Sequence, residues 1–304
     1  MKKKFSLSVL FLSLAFVNQE VTATATCSLC AQWNIPQKPF LIYGKTYYVG
    51  VRGLSAVLIR TSEGLVLLDG GLADSAKLIE ENIRTLGFDV ADIKLILNSH
   101  AHFDHAGGIA KLQRDSHARV AASAAGAKAL ENGKLMPDDP QFGFGPSGTG
   151  FPRVSHVKVV QDSQVLKLGD TEITAHVTPG HTWGSTSWTW RSCEAQTCLN
   201  IVYADSLNAV SAPGYRFLTG KGSDNRTTAE ALRRSIKRVR ELPCDVLLTV
   251  HPDISRTFEK LEQREVDTSV NPFVDSNACR NYADNAERQL EQRLMEERKA
   301  MKSN

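Results

Sequence analysis

The chain has 304 residues, with 36 Lys and Arg against 33 Asp and Glu and a formal net charge of +3 at pH 7. So even a balance excludes the basic footprint of a nucleic-acid-binding protein. No apolar run beyond the N-terminus approaches transmembrane length, which excludes a membrane-spanning mature chain.

Lys2, Lys3 and Lys4 precede a thirteen-residue apolar stretch from Phe5 to Val17, and Ala23-Thr24-Ala25 offers a small-x-small cleavage site. This pattern predicts a secretory signal peptide over residues 1–25, its apolar stretch too short to span a bilayer. No lipoprotein box precedes Cys27, so a membrane anchor is not expected. Three lysines and Glu20 leave with the signal, and the net charge falls from +3 to +1. Residues 26–304 suit one large α/β domain, and no linker interrupts them.

An exported chain with six cysteines is expected to form disulfides. Cys27 and Cys30 make a CxxC at the new N-terminus, without the preceding strand and following helix that a redox motif needs. A small loop disulfide is the expectation there. Cys193 and Cys198 flank Glu194-Ala195-Gln196-Thr197 as a hairpin staple would, and Cys244 and Cys279 are placed to tie the tail to the body. Spacing alone leaves the connectivity open.

Phe40 to Val49 reads as a hairpin, and Ser55–Arg60 with Leu65–Asp69 as a second. Asp69-Gly70-Gly71 closes that strand in a glycine-rich turn. Ala73–Leu86 has helical spacing, with Leu78, Ile79, Ile83 and Leu86 on one face and Gly87 as the stop. The apolar run Ile93–Leu97 is a buried strand, and it leads into Asn98-Ser99-His100-Ala101-His102-Phe103-Asp104-His105-Ala106-Gly107-Gly108. A helical pattern then runs to about Arg114, followed by a strand at Ala118–Ser123 and a helix at Ala124–Leu130. Residues 131–153 are irregular, and such a long loop is functional or disordered. Its Phe142, Phe144 and Phe151 either line a cleft or pack the loop down.

The second half repeats the pattern. Val157–Val160, Val165–Leu168 and Glu172–Val177 are strands, the last ending in Thr178-Pro179-Gly180-His181-Thr182. Ser187–Trp190 and Asn200–Tyr203 continue the sheet, and the latter ends in Ala204-Asp205-Ser206. Thr227–Glu241 is an amphipathic helix, Asp245–Val250 a last strand ending in His251-Pro252, and Ala278 to about Lys299 a terminal helix. Two halves that alternate strands and helices predict an α/β fold of two mixed sheets packed together with helices outside.

Four ligand-type residues crowd the six positions from His100 to His105, on a turn at the carboxyl end of a strand. Positions two apart in extended chain face the same way, so His100 and His102 converge on one ion while Asp104 and His105 face another. His181 and His251 each follow a strand in the same fashion. A three-histidine site (His100, His102, His181) and a second site (Asp104, His105, His251) follow, each with an open position. Imidazole and carboxylate suit Zn²⁺, two per chain, spaced as in two-metal hydrolases. His117, His156 and His176 lack such company and read as structural or solvated.

The HAHFDH run, TPGHT and the VHP histidine resemble the metallo-β-lactamase superfamily over nearly the whole mature chain. The finer resemblance is to class B β-lactamases of subclass B3, because Ser206 stands where the first two subclasses carry a cysteine. Tyr203 to Leu207, Ser211 to Tyr215 and the Cys244/Cys279 placement are similar too. The resemblance implies an αββα sandwich and a periplasmic, zinc-dependent, monomeric enzyme. It implies that a metal-bound hydroxide, oriented by Asp104, opens the ring of penicillins, cephalosporins and carbapenems, conferring antibiotic resistance. Ser206 and Asn208 stand where relatives contact the substrate carboxylate. The rival within this fold is a thioester, lactone or phosphodiester hydrolase, whose bridging aspartate would stand at Asp205. A non-catalytic zinc protein is a further alternative, disfavoured by the open positions.

Overall fold

The computed structural model describes residues 27–145, 150–222 and 225–303, so the signal peptide expected over residues 1–25 lies outside the described residues. The described chain begins with one helical turn, α1 (Cys30–Trp33). Two hairpins follow: β1 (Phe40–Tyr43) with β2 (Thr46–Tyr48), and β3 (Val57–Thr61) with β4 (Gly64–Leu68). From β4 onward each strand returns through helices. These are α2 (Ser75–Thr85), β5 (Ile93–Leu97), α3 (Phe103–Ala106), α4 (Ile109–Ser116), β6 (Arg119–Ser123), α5 (Ala124–Asn132) and β7 (Val157–Val160). Helical crossovers impose parallel pairing, and β4, β5, β6 and β7 are parallel neighbours in a seven-stranded sheet ordered β1 to β7.

The second sheet has five strands, in the order β12-β11-β10-β9-β8. Its members are β8 (Val165–Leu168), β9 (Thr171–Val177), β10 (Thr186–Glu194), β11 (Thr197–Ala204) and β12 (Val246–Thr249). The crossover helix α6 (Thr228–Glu241) makes β11 and β12 parallel; the other pairs are antiparallel. A capping box between Thr227 and Glu230 starts α6. Helices α7 (Thr257–Val266) and α8 (Ala278–Lys302) complete the chain.

Three apolar layers hold this together. Val57, Ile59, Val66 and Leu68 meet Trp188, Trp190, Ile201 and Leu248 between the sheets. Leu58, Leu65, Leu67 and Ile96 face Ile79, Ile83, Leu112 and Leu130 of the helices outside the first sheet. Val202 and Leu247 face Leu232, Ile236, Leu290 and Leu294 of α6 and α8. Strands β4 and β12 are buried on both faces, so they read as continuous apolar runs rather than alternating ones. The architecture is two mixed sheets with helices on the outer faces, as the alternating pattern predicts.

Four differences from the sequence reading have physical causes. Asp104 and His105 sit inside the helical turn α3, with His102 as its N-cap, rather than on an open turn. The expected single helix breaks at Gly107-Gly108 because the end of β4 crosses there. A Cβ on Gly108 would lie 2.2 Å from Gly70 O, and one on Gly70 would lie 2.7 Å from Ile109 N. Helix α7 went unpredicted because its inner face is thin: among its residues only Thr257 is fully buried, with Phe258 and Leu261 partly packed. A helical turn does follow Cys30, although the CxxC spacing predicted none.

Cys27–Cys30, Cys193–Cys198 and Cys244–Cys279 are disulfide-bonded. The last anchors α8 beside β12. From that helix Tyr282 Oη donates to Asp205 O (2.9 Å) and accepts from Leu207 N (2.9 Å), closing a bridge over Ser206. Among the described residues no helix is long and apolar enough to cross a membrane.

Candidate metal centre

The carboxyl ends of β4, β5, β11 and β12 open on one edge of the molecule, where the sheets are stitched together. Thr186 N donates to Ser99 O (2.8 Å), and Ser55 N to Val250 O (2.9 Å). Beneath the histidine segment lies Asp69, in a left-handed conformation (φ 60°) and fully buried. Its Oδ1 accepts from Ser99 N (2.7 Å) and Asn98 Nδ2 (3.0 Å); its Oδ2 accepts from Ser99 Oγ (2.6 Å) and Tyr203 Oη (2.8 Å). One carboxylate therefore sets the path of the chain into His100. The sequence reading saw only a glycine-rich turn there. An acid closing a fully apolar strand was the available signal.

The imidazoles form a chain. Ring centroids are 4.6 Å apart for His100 and His102, 4.8 Å for His100 and His181, and 4.8 Å for His102 and His181. On the other side His100 is 4.4 Å from His105, which is 4.8 Å from His251. Two sets of potential ligand atoms each lie within 4.8 Å of one another: His100, His102 and His181, and His100, Asp104 and His105. His251 stands beside the second set, its Nε2 3.5 Å from Asp104 Oδ2. The six residues singled out from sequence thus converge in one place, while His117, His156 and His176 stand elsewhere. His176 is bonded to Thr189 Oγ1 on the outer side of the second sheet.

Four of the five histidines have one ring nitrogen held by an acceptor behind them. His100 Nδ1 shares a 2.6 Å bond with Asp205 Oδ1, and His102 Nε2 stands 3.3 Å from both oxygens of Asp139. His181 Nδ1 faces Asn208 O (3.3 Å), and His251 Nδ1 faces Gly53 O (3.2 Å). A proton kept on the braced nitrogen leaves the lone pair of the other free, the arrangement in which imidazole binds metal. Asp205 accordingly sits behind His100 and belongs to neither ligand set, so it is not placed as the bridging aspartate of the rival reading. Asp139, Gly53 and Asn208 O escaped the sequence reading. Backbone carbonyls leave no mark on composition, and Asp139 lay in the irregular 131–153 loop.

Electrostatics keep His100, His181 and Asp104 in ligand form, while the His105 proton is one that a cation would have to displace. Burial, then the neighbouring His105 and His102, hold the pKa of His100 well below that of a free imidazole. Burial with His100 and His102 does the same for His181. Burial opposes the Asp104 carboxylate, yet His105 and His251 beside it hold its pKa well below the usual range. For His105 burial is outweighed by Asp104, and its pKa is raised. Neutral imidazoles and an ionised carboxylate are what a cation requires.

The residues fit a metal on a second count. His100 Nε2 and both ring nitrogens of His105 are buried and make no hydrogen bond, and His105 Nε2 is the one beside Asp104 Oδ2 (3.2 Å). Such a group costs about 1–3 kcal/mol when left unsatisfied, and bound cations would accept the lone pair that each ring offers. Ser206 Oγ and Asn208 Oδ1 are likewise buried and unpartnered. Of the loop phenylalanines, Phe142 and Phe144 are exposed, while Phe151 packs against the first sheet's outer layer. The loop itself docks beside the centre through Trp183 Nε1 to Asp138 O (3.0 Å) and Ala212 N to Pro140 O (2.9 Å).

Comparison with known proteins agrees with this geometry. The family model of the metallo-beta-lactamase superfamily matches residues 49–194. The solved structure of Rm3 metallo-beta-lactamase superposes with a TM-score of 0.85 at 47% identity, covering 90% of this chain and 99% of that one. MEM-A1, a subclass B3 metallo-beta-lactamase isolated from a soil metagenome library, gives 0.83 at 45% identity, with 88% and 99% covered. Among curated proteins, the N-acyl homoserine lactonase AttM of Agrobacterium fabrum is 25% identical over 206 residues, 61% of this chain and 72% of its own.

Proposed function

The chain belongs to the metallo-beta-lactamase superfamily, among the subclass B3 enzymes, and from that premise we propose that it hydrolyses the amide bond of β-lactams with two zinc ions. The observation carrying this reading is the pair of adjoining ligand sets, each with buried ring nitrogens that lack a partner. His100, His102 and His181 would hold the first ion, and Asp104, His105 and His251 the second. Zinc held there supplies Lewis acidity, which polarises a carbonyl and brings the ionisation of water close to neutral pH.

The protein's own groups do the positioning. Asp104, ionised at neutral pH, has acceptor oxygens that orient the attacking water. Its low pKa makes it a poor store for a proton, so it acts by orientation rather than as a general acid. Ser206 would donate its unpartnered buried hydroxyl to the carboxylate that β-lactams carry, and Asn208 would donate to it from its amide N–H₂. The exposed Phe142 and Phe144 would face the apolar substituents of the substrate. No serine or cysteine nucleophile is required.

Penicillins, cephalosporins and carbapenems are the proposed substrates. The three disulfides support an oxidising compartment, and we place the enzyme in the periplasm, as a monomer conferring antibiotic resistance. The test is imipenem hydrolysis followed by ultraviolet absorbance. Turnover that EDTA abolishes and zinc restores is expected. A zinc-loaded protein that leaves imipenem intact would overturn the reading in favour of a lactone, thioester or phosphodiester, the class to which the distant lactonase points.

A further inference from the structure

We infer that the N-terminal hook around Trp33 is a working part of the second metal position, holding His251 ready to bind. This rests on the two-ion reading above. Of the six ligand candidates only His251 is not fully buried, its side chain being 20% exposed. It is also the one whose brace depends on a short terminal segment. Gly53 O accepts from His251 Nδ1 (3.2 Å), and the same residue's N–H donates to Trp33 O (2.9 Å). Arg52 N donates to Ile35 O (2.9 Å), so both residues 52 and 53 are hydrogen-bonded to the hook. The Trp33 indole stands 5.5 Å from the His251 ring, tilted by 53°.

Steric and packing details show that this contact is built. A Cβ on Gly53 would lie 2.6 Å from Trp33 Cα and Cδ1, so only glycine allows the approach. The hook is anchored in its own cluster, where Cys30 and Trp33 pack with Val51, Leu54, Leu72 and Phe103. Asn34 Oδ1 accepts from Ser75 Oγ (2.6 Å), fastening the hook to α2. Phe103 immediately precedes Asp104, so one cluster touches both sides of the second position. By contrast, His100 and His102 are braced by carboxylates remote from the hook. The indole denies His251 its alternative rotamers, and the Gly53 carbonyl fixes which nitrogen carries the proton. Loss of such a brace lowers metal affinity by about 10–100-fold, and here the loss falls on one ion of two.

The experiment is equilibrium dialysis of the metal-free protein against buffered zinc, with metal counted by mass spectrometry. Wild type is expected to take up two ions. Trp33→Ala is expected to weaken the second by about 10-fold or more and leave the first unchanged, with Trp33→Phe recovering most of the loss. Gly53→Ala, whose Cβ would drive into Trp33 and so displace the carbonyl and the indole together, should reproduce the effect. Circular dichroism and melting verify that each variant is folded. Two ions bound at wild-type affinity by both Trp33→Ala and Gly53→Ala overturn this inference alone. Equal weakening of both ions overturns it too, since a general loosening of the fold does that. Fewer than two ions in wild type overturn the two-ion reading and this inference with it.

Discussion

His102 Nε2 lies 3.3 Å from both oxygens of Asp139, so a residue of the irregular 131–153 loop braces a histidine of the first motif. Both side chains are buried. The same carboxylate accepts from Gln141 N (2.8 Å), which ties the loop's path to the orientation of the ring. Asp139→Asn keeps the shape and removes the charge. Affinity for the first ion should fall by about 10–100-fold, read by zinc titration against a competing chelator.

Tyr282 makes a comparable link from the opposite end of the chain. Tyr282→Phe strips the hydroxyl that bridges Asp205 O and Leu207 N and leaves two backbone groups unsatisfied. The expected cost is about 1–3 kcal/mol, measured by urea unfolding. Because the bridge passes over Ser206, KM for a carbapenem should rise more than kcat falls.

His176 predicts how stability varies with pH. Burial, with the positive charge of Arg238 nearby, lowers its pKa from 6.5 to about 4 in the folded chain. A histidine depressed on folding stabilises the native state above its unfolded pKa, and that contribution drains away as pH falls through the folded value. Wild type should therefore lose stability between pH 6.5 and about 4, and His176→Gln should show a shallower acid limb. Urea midpoints for both proteins across that range decide it.

His102→Ala removes a member of the first candidate ligand set, at the N-cap of α3, where its side chain makes no cap bond. The helix should survive and turnover should vanish, read by imipenem assay beside far-ultraviolet circular dichroism.

Much of this was written in the sequence because strands buried on both faces and ligand-dense turns leave strong local patterns. Ile93–Leu97 announced a central strand, and the histidine spacing announced the centre beyond it. What escaped acts at a distance or through the backbone. Asp139 meets His102 across 37 positions and Tyr282 meets Asp205 across 77. The carbonyls of Gly53 and Asn208 belong to every sequence alike. Helix α7 escaped because α/β periodicity is legible only where a face is well buried, and its face is not.

Trp33 and Tyr282, near opposite ends of the described chain, both brace the same centre, and this dictates an order of events. A nascent polypeptide displays the His100–His105 cluster long before Tyr282 exists to clasp the segment around Asp205. The segment that carries Asp205, and with it the brace of His100, is therefore completed only when the tail is in place. A protein truncated at its tail should thus be metal-poor although it retains every histidine of the centre.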